Sequence, residues 1–248
     1  MHVPVNTDIC LLVFFATLGS YNFYWLISKY HFSDKRGIID FFYKNISNVI
    51  VLLTATVGLV YFNYLVKEIW TVIIISVMLT LAYSVPLWPV KQLAFARKAG
   101  FLKTVLLAFT WTYVTIMIPV KQAELDINMS VVLLFTARFL FMLMLCIIFD
   151  SRDVTVDKIR SLSSLATDVS KRILGIIMTF LFFTYLAAGF LLRYYFEDNA
   201  QVAAFFVTGI VVLAVYRLSL QKQGYFFYYF LVDGLMLFSA TATIVASI

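Results

Sequence analysis

The chain has 248 residues, 63% of them hydrophobic and only 13% charged. A mean hydropathy of +0.95 leaves too few polar side chains to cover a water-soluble surface, so a soluble globular domain is excluded and an integral membrane protein is indicated. The net charge of +6 needs no nucleic-acid partner, and nine Gly and four Pro are too few for a flexible linker, so one transmembrane domain over 1–248 is expected.

Taken in chain order, eight apolar runs are predicted to be spanning helices: about 8–30, 46–66, 69–86, 103–120, 129–149, 172–194, 200–218 and 226–247. Apolar residues surround most of them, as expected in lipid, and the runs are too long for barrel strands. The first run has no Lys or Arg before it and no small-residue cleavage site after it, so it reads as a permanent span rather than a secretory signal. Cys10 and Cys146 lie in apolar runs and suggest neither a disulfide nor a metal pair. With these spans, 15 of the 19 Lys and Arg fall on one side. Only Lys67, Lys121 and Arg193 fall on the other, and Arg138 lies within a span. The positive-inside rule makes the basic side cytoplasmic and both termini non-cytoplasmic. Two long cytoplasmic loops follow, 87–102 and 150–171.

The second of these loops carries the clearest chemical signal. It begins Phe149-Asp150-Ser151-Arg152-Asp153-Val154-Thr155-Val156-Asp157-Lys158. On a helix, offsets of three and seven residues put Asp150, Asp153 and Asp157 within roughly 60° of one face. Three like charges there repel unless a cation gathers them. A hard cation such as Mg²⁺ takes a few carboxylates together with the oxygens of a bound phosphate. At the edge of a bilayer, such a cluster could hold a lipid diphosphate by its head. The plainer reading is a solvated segment ion-paired to Arg152, Lys158 and Arg160.

Two charges sit inside spans, Arg138 in the fifth and Asp233 in the eighth. Each should face the protein interior and find a partner. A mutual Arg138–Asp233 pair or a place lining a cavity would account for both. His2 and His31 are isolated, and no Ser/His/Asp, Cys/His or phosphate-loop pattern is present. The run Tyr225–Phe230 reads as an interfacial aromatic belt, although aromatic rings could also line an isoprenoid tunnel.

Three stretches together resemble the UbiA superfamily of intramembrane prenyltransferases. The segment 149–157 is similar to the family's second aspartate-rich motif, DxRDxxxD. Ala82-Tyr83-Ser84-Val85-Pro86-Leu87 is similar to a Tyr-Ser-x-Pro-Leu segment. Gly100-Phe101-Leu102-Lys103, followed by Trp111, Thr115 and Pro119, resembles a pattern from a bacterial branch. The resemblance covers roughly 80–160 and elsewhere rests on span count. It implies a UbiA-like helical bundle in a bacterial cytoplasmic membrane, with an isoprenyl diphosphate and Mg²⁺ bound at the cytoplasmic face. Asp150, Asp153 and Asp157 would then be catalytic metal ligands. Arg97, Lys98, Lys103, Arg152 and Lys158 would contact the diphosphate. The acceptor would be an aromatic or lipid molecule.

The departures are specific. The family's first motif, NDxxDxxxD, should close the first span, where only Asn22 matches and every later aspartate is missing. The Gly-x-x-Thr-x-Pro that usually follows the second motif is replaced by Leu162-Ser163-Ser164-Leu165-Ala166-Thr167. These gaps support a rival expectation, a UbiA-fold protein that has lost catalysis and serves as a structural or assembly subunit among partner membrane proteins. A transporter built around Arg138 and Asp233 is a third expectation, though the paired Gly/Pro interruptions of such proteins are missing.

Overall fold

A computed structural model describes residues 6–31, 38–66, 69–84, 100–159, 164–196, 199–221, 223–224 and 226–246. Its elements are α1 (Thr7–His31), α2 (Ile38–Lys44), α3 (Ile46–Leu65), α4 (Trp70–Ser84), α5 (Gly100–Gln122), α6 (Met129–Ile159), α7 (Leu165–Asp168), α8 (Lys171–Phe196), α9 (Asn199–Ser219) and α10 (Asp233–Val245). A π-helical turn, Phe227–Val232, leads directly into α10. No strand occurs among the described residues. Among the described residues, seven helices are long and apolar enough to cross a membrane: α1, α3, α5, α6, α8, α9 and the joined Phe227–Val245. The protein is therefore an all-α, multi-pass membrane protein. The predicted third span corresponds to α4, whose 15 described residues cover about 22 Å at 1.5 Å per residue, short of a bilayer core of about 30 Å.

The described residues fall into two compact units. The first holds α1 to α4 together with the end of α5 from Ile118 onward. Here α1 lies along α3, and glycine makes the close approach. A Cβ on Gly58 would meet the Phe15 ring at 2.5–2.7 Å. Phe15 also stacks on Phe62 at 5.7 Å, and Tyr24 of α1 stacks on Tyr83 of α4 at 4.9 Å. At the polar end of α1, Lys29 lies 3.9 Å over the Trp25 ring. Its ammonium donates to Asn45 Oδ1 at 2.9 Å, which ties α1 to the break between α2 and α3.

The second unit holds α5 up to Met117 and everything from α6 onward. Its axis is α6, where every residue from Leu140 to Ile148 is buried. A helix apolar all round and enclosed all round is the core of a bundle. Phe141 of α6 meets Tyr185 of α8 at 6.4 Å, and Tyr185 meets Phe205 of α9 at 5.7 Å. Gly189 and Gly209 let α8 and α9 close up, since an added Cβ at either would come within 3.1–3.2 Å of a neighbouring side chain. Small residues are the usual means of close helix contact in lipid, where burial of apolar surface gives no drive between helices.

The turn into α6 is specified locally. Glu124 takes a left-handed backbone (φ 50°), and the Leu125 N–H reaches back to the Val120 carbonyl at 3.0 Å, closing the C-terminus of α5. Asn128 then caps α6, its Oδ1 accepting from the Val131 N–H at 3.1 Å and from the Ser130 hydroxyl at 2.6 Å.

Candidate functional site

The sequence predicts that the fifth span ends near residue 149 and that 150–171 forms a loop. Instead α6 continues without a break to Ile159. The reason is local: residues 150–159 contain neither Gly nor Pro, so nothing stops a helix that has already nucleated in the membrane. Of the rest of the connection, Ser164 and Thr167 form a capping box around the four-residue α7. The extension keeps Asp150, Asp153 and Asp157 at positions on one face of a single helix, at offsets of three and seven residues.

Two of the three carboxylates have described surroundings, and each is engaged by the protein itself. The Thr104 hydroxyl of α5 donates to Asp150 Oδ2 at 2.5 Å, a short charge-assisted bond. The same hydroxyl also lies 3.3 Å from the Gly100 carbonyl. Asp153 accepts two bonds from Arg152, Nε–H to Oδ1 at 2.6 Å and Nη2–H to Oδ2 at 2.8 Å. The two side chains form an ion pair. The plainer sequence reading, in which the aspartates pair with neighbouring cations, is realised for Asp153. The Asp157 side chain lies outside the described residues.

Arg152 is itself held. Its guanidinium carbon lies 5.4 Å from the Phe149 ring, 5.4 Å from Tyr228 and 5.2 Å from Tyr229. Tyr228 and Tyr229 belong to the π-helical turn, and Phe149 faces Tyr228 at 6.5 Å. Nη1 of Arg152 is buried and has no hydrogen-bonding partner among the described residues.

The other candidates separate. Arg97 and Lys98 lie outside the described residues, as do the side chain of Lys158 and the Tyr-Ser-x-Pro-Leu segment beyond Ser84. Lys103 precedes Thr104 on α5, and Cys146 feels the charges of both Lys103 and Asp150, which puts Lys103 at the same end of α6. Asn22 donates from its amide to the Leu18 carbonyl of its own helix at 2.8 Å. Arg138 and Asp233 do not pair. Arg138 Nη1 lies 3.4 Å from the Ser239 hydroxyl, with its guanidinium 5.2 Å over the Phe141 ring. Asp233 is exposed at the start of α10 and feels the charge of Arg152 instead. The cause is register. Ser239, six residues further along, is what lies level with Arg138, and six residues are about 9 Å of helix.

Thr104, Tyr228, Tyr229 and Ser239 are absent from the sequence-derived site. Tyr228 and Tyr229 are visible only as part of an aromatic run that reads as a belt, and nothing in the sequence singles out Thr104 or Ser239.

Among the described residues, no group of three or more His, Cys, Asp or Glu could hold a metal ion. Asp150 supplies a hard oxygen donor of the kind Mg²⁺ prefers. Asp153 fits such an ion only after giving up Arg152, which holds both of its oxygens. No family model, no curated protein and no solved structure matches the chain.

Proposed function

We propose that the protein is a prenyltransferase of the UbiA kind, or a close derivative. It binds an isoprenoid diphosphate with Mg²⁺ at the polar end of α6 and transfers the prenyl group to an aromatic or lipid acceptor. The observation that carries this reading is the unbroken α6, which sets Asp150, Asp153 and Asp157 at positions on one helical face, with Thr104 of α5 bonded to Asp150. Mg²⁺ at such a face would neutralise charge developing on a departing pyrophosphate. Asp150, fixed by Thr104, is oriented before any ligand arrives. Arg152 and Lys103 bring positive charge to the same end, and arginine suits phosphate because its planar fork gives two parallel bonds. The buried apolar length of α6 that leads away from this end is the side on which a prenyl chain would lie.

The proposed setting is a bacterial cytoplasmic membrane, with the α6 extension cytoplasmic and both termini on the opposite side. The excess of Lys and Arg in the loops on that side supports it. Reporter fusions at the two termini test the orientation, and activity of a cytoplasm-only reporter at either end would reverse it.

The deciding experiment is binding of geranylgeranyl diphosphate to the purified protein in nanodiscs. Binding should require Mg²⁺ and should weaken in Asp150→Asn and Asp153→Asn. Undetectable binding, or binding indifferent to both the metal and the substitutions, would remove the enzymatic reading.

A second reading is a non-catalytic subunit of a membrane complex built on the same fold. It is favoured by the saturation of Asp153 by Arg152 and by the use of the Asn22 amide within α1. Mild-detergent purification separates the two, since this second reading requires a stoichiometric membrane partner.

A further inference from the structure

Arg152 carries more supporting structure than a charge at a membrane edge requires. Three rings from two elements surround its guanidinium at 5.2–5.4 Å. Two of them stand on a π-helical turn, a rare form of backbone that tends to occur where a helix has been adjusted to aim side chains. Within that turn Tyr228 is buried while its neighbour Tyr229 is exposed, yet both rings reach the same cation. The guanidinium spends Nε and Nη2 on Asp153 and leaves Nη1 buried without an acceptor. A buried donor left open beside an acidic face awaits an acceptor atom that the described protein does not supply. The acceptor must be an anion able to compete with a carboxylate for a guanidinium, and phosphate oxygens do this well. The pair to be opened is a weak one, because Asp153 keeps 40% of its side chain exposed and ion pairs of that exposure contribute little.

We propose that Phe149, Tyr228 and Tyr229 form an arginine cradle that holds Arg152 ready to pass from Asp153 to a phosphate oxygen of the bound diphosphate. The proposal rests on the diphosphate-binding reading above and adds its positioning residues. Arriving phosphate takes the open Nη1 first and then the donors that Asp153 gives up. Asp153 is thereby released to face a metal ion at the moment one is delivered with the ligand.

The test uses the full-length protein in nanodiscs with geranylgeranyl diphosphate as probe and inorganic pyrophosphate as competitor, both with Mg²⁺. The double variant Tyr228→Leu with Tyr229→Leu should bind the probe about tenfold more weakly, the size of one or two desolvated cation–π contacts. Tyr228→Phe with Tyr229→Phe, which keeps the rings, should restore most of that loss. In an Arg152→Gln background the leucine changes should have no further effect. A merely structural role for the tyrosines would weaken binding by the same factor in both backgrounds, and that result overturns the cradle. Equal binding by wild type and the leucine variant overturns it too. If the double variant does not fold, Tyr229→Leu alone carries the test, since Tyr229 is 60% exposed. Absence of probe binding by the wild type instead sinks the underlying reading and takes the cradle with it. Competition by pyrophosphate at the probe's own concentration supports the cradle as a diphosphate site that reads no lipid chain, whereas failure to compete supports a lipid diphosphate as its ligand.

Discussion

Arg138 of α6 and Ser239 of α10 lie opposite each other, with Nη1 3.4 Å from the hydroxyl oxygen. Eleven residues further along α6, Phe149 meets Tyr228, which lies eleven residues back from Ser239. The two contacts fix one antiparallel register between α6 and the C-terminal helix. That register carries Asp233 away from Arg138 and toward Arg152, so the two intramembrane charges that sequence alone would join are held apart.

Arg138 is thus a cation in the apolar part of a span, with one long bond to a hydroxyl and a ring beneath it. A hydrogen bond to a charged group contributes about 1.5–3 kcal/mol, and at 3.4 Å this one belongs at the lower end. Ser239→Ala should therefore lower stability by about 1.5 kcal/mol at most. Arg138→Leu removes a charge that has no described ion-pair partner, and such replacements are often neutral or stabilising. Its thermal midpoint in detergent should equal or exceed that of the wild type. A drop of several degrees would show that Arg138 serves an anionic partner.

The close contact of α1 with α3 gives a second expectation. A methyl group on Gly58 would sit 2.5–2.7 Å from three carbons of the Phe15 ring, closer than real atoms approach. Gly58→Ala should destabilise by about 1–3 kcal/mol, the usual range for overpacking. Adding Phe15→Leu should recover part of that loss, because the obstruction is one ring. Gly19 on the facing helix is the control, since its Cβ would meet Ala55 at an ordinary 3.5 Å. Gly19→Ala should be neutral or stabilising, gaining up to about 1 kcal/mol of helix propensity. Chemical or thermal unfolding of the three variants side by side decides the matter, and equal behaviour of the two alanine variants would refute the proposed close fit at Gly58.

Hydropathy made the all-helical, multi-pass fold legible, because only long helices satisfy their backbone groups in lipid. The end of α6 was not legible by the same signal. Hydropathy marks where lipid contact ends, whereas a helix is stopped by backbone breakers, and between Asp150 and Ile159 there is neither Gly nor Pro. The acidic positions themselves were readable from spacing. Their partners were not, because Thr104 lies 46 residues from Asp150 and Tyr228 and Tyr229 come from the far end of the chain. The Arg152–Asp153 pair defeats spacing arguments in another way. Adjacent helical residues point about 100° apart, so spacing does not suggest the bidentate bond that these two make.

Tyr216 supplies a test of an unpaired group. The residue is 4% exposed on α9, and its hydroxyl is buried without a hydrogen-bonding partner among the described residues. On α8, a Cβ added at Gly175 would lie 3.9 Å from the oxygen. Burying a hydroxyl that makes no bond costs about 1–3 kcal/mol. Tyr216→Phe keeps the ring and deletes the oxygen, so it should raise stability by about 1 kcal/mol. Loss of stability in Tyr216→Phe would reveal a bond to that hydroxyl.

Thr104 and Asp150 join α5 to α6 at the candidate site through a short 2.5 Å bond. Hydrogen bonds to a charged group contribute about 1.5–3 kcal/mol, and Thr104 is only 2% exposed, so water does not readily replace it. Thr104→Val keeps the shape and removes the donor. It should destabilise by about that amount, while Thr104→Ser should lose far less. The two roles of Asp150 can then be told apart. If the carboxylate serves only to anchor α5, Asp150→Asn should be as destabilising as Thr104→Val, and the double variant should cost little more than either alone. If Asp150 also holds a metal ion with a diphosphate, Thr104→Val should leave Mg²⁺-dependent binding of geranylgeranyl diphosphate measurable, because the carboxylate remains, whereas Asp150→Asn should abolish it. Equal loss of binding in both variants would assign Asp150 to the scaffold and leave the metal to other ligands.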